Sequence, residues 1–176
     1  MDIRRYHKFA VASATLALAA VPMVAGAAPS GLTAQHFVTE AAATNKLEIK
    51  LGKLAQRKSE NPAVLSFAKK MLSDHTRLQH KLVRTAKSEH LKLPDSLPPK
   101  LQHKYQQLSQ LSGRQFNKAY ARFNVKGHEQ AVALFKNEKR SHNDAAISKL
   151  AASGLPVIQH HLSMAKHMQQ AVTTKS

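Results

Sequence analysis

Hydrophobic positions along the chain recur three and four residues apart, a spacing typical of amphipathic α-helices rather than of strands. The first such segment runs from about Thr33 to Lys58, and the second ends near Glu89. Between them, Asn61 is a favourable helix N-cap and Pro62 suits the first helical position. Because the break is short, these two helices are predicted to form an antiparallel hairpin.

The second half of the chain predicts another hairpin. Residues 91–100 contain three prolines and form a connection, and a short helix is expected from Lys100 to Leu111. A long helix is predicted from about Arg114 to Lys139. A fourth begins near Asn143, and we expect the sequence Gly154-Leu155-Pro156 to kink or restart it.

These patterns predict an all-α fold with a single domain, residues 33–172. Two antiparallel helical hairpins joined by a Pro-containing linker make a four-helix bundle. The chain has no cysteine, which excludes disulfides, thiolate metal ligands and cysteine nucleophiles. Packing of the helices must therefore hold the fold together.

The N-terminal segment, residues 1–27, has the features of a signal peptide. Arg4, Arg5 and Lys8 precede an uncharged apolar run that ends in Ala25-Gly26-Ala27, a small-x-small cleavage pattern. The alternative, an uncleaved membrane anchor, is disfavoured by that pattern. We therefore expect an exported protein of the periplasm, with association to the outer membrane left open and no transmembrane segment after cleavage.

The formal net charge of the chain is +17 at pH 7, from 27 lysines and arginines against 10 aspartates and glutamates. A field of this strength attracts anionic polymers, lipid surfaces or phosphate. Aromatic residues are few and fall mainly on the apolar faces, and no nucleic-acid-binding motif is present, so nucleic acid is not expected as a partner.

Each predicted long helix carries a carboxylate or an imidazole where an apolar residue would otherwise face the core. Buried ionisable groups are costly unless they are paired or bind a metal, and metal sites in bundles are built from facing side chains. Asp74 and Tyr120 are candidates for orienting the ligands. The candidate metal ligands are Glu48, His75, His128 and His161.

Helix geometry indicates how near these residues come to one level. Counted from a turn near Glu60, Glu48 and His75 differ by ~5 Å of helical rise. Counted from a turn near Ser141, His128 and His161 differ by ~10 Å. A Glu48–His75 pair is therefore easier to form than one compact four-ligand site. The alternative is a set of structural polar groups, with His75 bonded to a carbonyl or to Glu48.

A mixed histidine and carboxylate site suits a divalent metal such as zinc, copper or iron. Bundle proteins with two iron ions place a Glu-x-x-His pair on each of two helices. The chain contains no Glu-x-x-His sequence. This absence disfavours a di-iron enzyme, and the question of catalysis is left open with a non-enzymatic role preferred.

Four stretches resemble a bacterial exported family named domain of unknown function 4142. They are residues 48–55, residues 67–76 with Asp-His-Thr, residues 111–120 with Ser-Gly-x-x-Phe, and Leu155-Pro156 followed by His161-Leu162. The resemblance implies a ferritin-like four-helix bundle and no settled activity. This chain has Asn117 where the family usually has aspartate. The recurring polar positions of the family correspond to Glu48, Asp74, His75, Tyr120, His128 and His161.

Two functions follow from these observations. The first is a non-enzymatic exported bundle that binds a metal ion or a small ligand in its core. The second is a cationic envelope or stress-tolerance protein that docks on anionic polymers or lipids. An iron-dependent oxidoreductase is the least favoured of the three classes considered.

Overall fold

The structure is a computed structural model that describes residues 33–141 and 144–174. Within these ranges the chain forms five helices and no strand, which confirms the predicted all-α class. The predicted signal peptide, residues 1–27, lies outside the described residues. The helices are α1 (Ala34–Lys58), α2 (Pro62–Ser88), α3 (Pro99–Ser109), α4 (Gly113–Ser141) and α5 (Ala145–Thr174).

Local sequence signals set the beginnings of the first two helices. The Thr33 hydroxyl accepts a hydrogen bond from the backbone N–H of His36 at 3.1 Å. Asn61 Oδ1 accepts from the backbone N–H of Ala63 at 3.0 Å, and Pro62 opens α2. Such caps satisfy donors that a helix end would otherwise leave unpaired.

Two hydrophobic clusters fill the interior, one towards each end of the long helices. The Tyr120 cluster comprises Leu47, Leu51, Leu54, Ala55, Val64, Phe67, Ala68, Met71, Leu108, Phe116, Tyr120, Ala121, Ala165, Met168 and Val172. The Phe135 cluster comprises Phe37, Val38, Ala41, Ala42, Leu82, Phe135, Ile147, Leu150, Ala151, Leu155 and Ile158.

The order of these residues along the chain gives the directions of the helices. Helices α1 and α5 run from the Phe135 cluster to the Tyr120 cluster, whereas α2 and α4 run the opposite way. The connection after α2 and the short helix α3 therefore return the chain along the length of the molecule. Contacts are extensive in the pairs α4–α5, α1–α2 and α2–α5, and sparse between α1 and α4, where α3 contacts both helices.

Helix α5 continues through Pro156 as one element. Of the two predicted effects of Gly154-Leu155-Pro156, the restart of the helix is therefore wrong, and the kink stays a prediction. Proline removes one backbone hydrogen bond from a helix, but the packing of α5 against α4 keeps the helix continuous. Gly154 allows this close packing, because a Cβ atom there would lie 2.8 Å from Phe135 Cε1.

In the part of the chain that the structure describes, none of the helices is both long enough and apolar enough to cross a membrane.

Candidate metal centre

Three histidines from three different helices meet in the interior, between the two hydrophobic clusters. His75 of α2, His128 of α4 and His161 of α5 each offer one ring nitrogen, and these nitrogens lie within 4.8 Å of one another. The ring centroids are 5.2 Å apart for His75 and His161, 5.5 Å for His128 and His161, and 5.9 Å for His75 and His128. All three side chains are buried. The arrangement is that of a potential three-nitrogen metal site.

Asn45 of α1 fixes the orientation and the tautomer of His75. Asn45 Nδ2 donates to the backbone carbonyl of His75 at 2.9 Å, so Asn45 Oδ1 is the atom that faces His75 Nδ1 at 2.7 Å. Because this amide oxygen can only accept, Nδ1 carries the ring proton. The lone pair of His75 is therefore on Nε2, a buried atom with no hydrogen-bond partner.

The other two rings are held in the same way by different acceptors. His128 Nδ1 donates to the backbone carbonyl of Asn124 at 2.8 Å, one turn earlier on α4. His161 Nε2 donates to Asp74 Oδ2 of α2 at 2.8 Å. The remaining nitrogens, His128 Nε2 and His161 Nδ1, are buried and have no hydrogen-bond partner. Metal-binding histidines are commonly oriented by such an acceptor on the other ring nitrogen.

Burial keeps all three imidazoles neutral near pH 7. Loss of hydration lowers the pKa of His75 well below its ordinary value and lowers the pKa of His128 to about 4. Burial also lowers the pKa of His161, and this effect exceeds the opposing influence of Asp74. Because a protonated ring nitrogen has no lone pair, these shifts favour the form of histidine that binds metal.

Asp74 connects His161 to the surface of α2. Its carboxylate accepts from Lys70 Nζ at 2.9 Å and also contacts Arg77. Burial of the carboxylate acts to raise the pKa of Asp74, but the hydrogen bonds from His161 and Lys70 outweigh it and the pKa is lowered. Asp74 is therefore a stable anion that can orient His161. It is buried rather than solvated.

Glu48 of α1 lies beside this group of histidines. It lines the same cavity as His75 and His128, but it is not part of the set whose ligand atoms all lie within 4.8 Å of one another. Its side chain is 2% exposed, and Oε2 has no hydrogen-bond partner. Burial raises the pKa of Glu48 to about 8, so the carboxyl group is mainly protonated at neutral pH.

The Tyr120 hydroxyl and the Asn124 side chain form a contact on α4 that acts to lower the pKa of Tyr120. Burial raises the pKa of Tyr120 well above its ordinary value, and the charge of Glu48 adds to this effect. The ring of Tyr120 stacks on Phe116 with centroids 5.6 Å apart. Tyr120 therefore belongs to the hydrophobic cluster by its ring and faces the polar residues by its hydroxyl group.

The structure brings His128 and His161 closer than the sequence-based estimate of ~10 Å, which was wrong. Helix α4 extends to Ser141 and α5 begins at Ala145. Counted from residue 143, midway in the sequence between these two helix ends, the offset of the two histidines is ~5 Å. The alternative in which the His75 ring bonds to a backbone carbonyl or to Glu48 is not observed, because His75 Nδ1 bonds to Asn45 and Nε2 has no partner.

Asn45 was not among the sequence-based candidates. It lies one helical turn before Glu48 and is 2% exposed, and its spacing from Glu48 is the signal that could have identified it. Asn117, where the resemblance implies an aspartate, lies about 16 Å along α4 from His128. It lines a different cavity with Arg57 and Arg114, so the change at this position does not alter the histidine site.

The family model described as Domain of unknown function (DUF4142) matches residues 19–168. The chain belongs to this family. No curated protein and no solved structure matches the chain. The range matched by the DUF4142 model includes α1, α2, α3 and α4 and all residues of the candidate metal centre.

Proposed function

We propose that this DUF4142 protein binds one divalent metal ion through His75, His128 and His161. One observation carries the proposal: each imidazole is held at one nitrogen by a fixed acceptor, and its other nitrogen is buried without a partner. A purely structural histidine would be expected to satisfy both nitrogens.

The buried polar atoms without partners also bear on the stability of the protein. An unsatisfied buried polar group destabilises the folded state by ~1–3 kcal/mol. Four such atoms belong to the three histidines and to Glu48, which lines the same cavity as His75 and His128, and this supports a common occupant for them. They are Glu48 Oε2, His75 Nε2, His128 Nε2 and His161 Nδ1, whereas Asn117 Oδ1 and Glu138 Oε2 are buried atoms without a partner elsewhere in the described part of the chain.

Three neutral imidazoles leave at least one coordination position of a tetrahedral ion open. Glu48, which lines the same cavity as His75 and His128, is a candidate for this position after loss of its proton, and a water molecule is the alternative. Imidazole nitrogen suits zinc, copper and iron. We prefer a role in binding rather than catalysis, because the chain lacks the Glu-x-x-His pairs of di-iron proteins.

We also propose that the four long helices form a ferritin-like four-helix bundle. Opposite directions within the contacting pairs α1–α2, α2–α5 and α4–α5 support this topology. Ferritin-like bundles have one long crossover connection, and the segment between α2 and α4 has the required length and direction. Core metal sites are a known use of such bundles.

The N-terminal sequence supports export to the periplasm, and the charge of the surface supports a second candidate function. Among described residues, only Lys70, Arg77 and Lys166 are lysines or arginines within 4.0 Å of a described carboxylate oxygen. We propose docking of the remaining cations on anionic envelope polymers or lipids. Binding to acidic liposomes should then weaken steeply with salt, and absent or salt-insensitive binding would remove this candidate.

The metal proposal is tested on protein purified without a polyhistidine tag and stripped with a chelator. Zinc titration against a chromophoric competitor should give one site per chain, and saturating zinc should raise the melting temperature. His75→Gln should weaken zinc binding by more than the ~10–100-fold that loss of an orienting partner typically causes.

His80→Gln is the matched control, because His80 lies on the same helix and is exposed. Its zinc affinity should equal that of the unmodified protein. A stoichiometry near zero with no thermal shift for zinc, copper or iron would refute the proposal. So would equal loss in the His75 and His80 variants.

A further inference from the structure

A cavity of about 870 Å³ lies between α1 and α4, where these two helices contact each other only sparsely. Its floor includes Glu48, His75 and His128, so it adjoins the candidate metal centre. The size is within the ~300–1,000 Å³ typical of small-molecule sites. The cavity therefore gives a ligand access to the interior from the side of the molecule.

The mouth of the cavity carries four cations arranged as two pairs. Lys100 and Lys104 lie one turn apart on α3, and Arg122 and Lys126 lie one turn apart on α4. Residues four apart share one face of a helix, so the two helices present their pairs to the same opening. All four side chains are exposed, and none lies within 4.0 Å of a described carboxylate oxygen.

Glu40 of α1 is the one exposed carboxylate among the cavity-lining residues that the structure describes. The four cations outnumber it, so the mouth has a positive potential. The wall between the mouth and the floor is apolar, with Leu47, Leu101 and Phe123 among its side chains. Charge at the opening and apolar surface behind it are complementary to an amphiphilic anion.

We infer that this cavity binds a small organic anion with an apolar body. Its anionic group lies among Lys100, Lys104, Arg122 and Lys126, and its body lies along the apolar wall towards His75 and His128. The inference rests on the proposed function only in that the floor is a metal centre. The cavity, its apolar wall and its charged mouth are present whether or not a metal ion is bound.

Isothermal titration calorimetry with octanoate on the metal-free full chain tests the inference. Octanoate should bind with a stoichiometry of one, and added salt should weaken it. Octanol lacks the charge and acetate lacks the apolar body, so both should bind at least about tenfold more weakly. Equal binding of octanol and octanoate would overturn the inference.

The double variant Lys104→Gln/Arg122→Gln changes only exposed side chains, so its fold should be preserved. It should weaken octanoate binding at least about tenfold, because charge-assisted hydrogen bonds are lost. The matched control is Lys69→Gln/Lys81→Gln, two exposed lysines of α2 that do not line the cavity. An equal effect in both variants, or none in the first, would contradict the assignment of the mouth.

Zinc affinity is measured separately on the same proteins, so the two proposals fail in distinguishable ways. Octanoate binding without zinc binding would support the proposed cavity ligand and refute the proposed metal centre. Zinc binding without octanoate binding leaves the metal centre and overturns the inference about the cavity.

Discussion

The hydrophobic clusters and the polar level between them differ in how completely their atoms are satisfied. In the Phe135 cluster, Phe37 packs edge-on against Phe135 with centroids 5.0 Å apart, and apolar contact is all that these side chains require. At the polar level, Glu48 and the three histidines leave buried atoms without partners. The clusters therefore supply stability, whereas the polar level reduces the stability of the metal-free protein and is suited to binding.

The largest expected effect is in the hydrophobic region. Phe37→Ala removes a fully buried ring and should destabilise the metal-free protein by about 3–5 kcal/mol. Urea denaturation measures this change. Val83→Ala is the control, since Val83 is 45% exposed, and it should change stability by less than ~0.5 kcal/mol. Similar effects of the two substitutions would contradict the assigned role of the cluster.

Substitution of Glu48 is expected to increase the stability of the metal-free protein rather than decrease it. The pKa of Glu48 is about 8 in the folded protein, whereas its ordinary value is 4.5. The contribution of this carboxyl group to folding stability is therefore fully present below pH 4.5, and it is lost as pH rises towards 8. The glutamine of Glu48→Gln cannot ionise. At pH 7 the free energy of unfolding of this variant should therefore be roughly 3 kcal/mol higher than that of the unmodified metal-free protein. The two should be alike near pH 4. A stability difference that does not change with pH would disprove the assignment.

Folding stability should also fall at acidic pH, because His128 is buried in its neutral form. The pKa of His128 falls from 6.5 to about 4 on folding, so the unfolded chain binds more protons between these values and stability is lost as pH falls. At pH 5 this histidine alone should destabilise the protein by about 2 kcal/mol. His128→Leu should flatten the decline in denaturation curves between pH 7 and pH 4.5. An unchanged slope would show that His128 is not neutral and buried.

The smallest expected effect is at the orienting group Asn45. Asn45→Ala leaves the three ligand nitrogens in place but releases His75 Nδ1, and it should weaken zinc binding about tenfold. Thr44→Ala, at the neighbouring half-buried position of α1, is the control and should have little effect on zinc affinity. Equal zinc affinity of both variants would mean that the Asn45 contact does not orient the ligand.

Local patterns in the amino-acid sequence were sufficient to predict the helices and the helix faces that carry the candidate ligands. The period of 3.6 residues assigns Glu48, His75, His128 and His161 to inward positions, and the Asn61-Pro62 pair marks the beginning of α2. These features are local, because a helix fixes which side chains share a face whatever the helix packs against. The family resemblance, confirmed over residues 19–168, could also be predicted from the sequence, because it depends on short local motifs.

Which of the inward residues meet depends on how the helices pack against one another. The level of His128 relative to His161 depends on where the turn between α4 and α5 is centred, and a shift of two residues in that turn changes their offset by several ångströms. The pairing of Asn45 with His75 and of Asp74 with His161 depends on the rotation of each helix about its axis. Packing against neighbouring helices sets that rotation, so it cannot be predicted from the helical periodicity of a single segment.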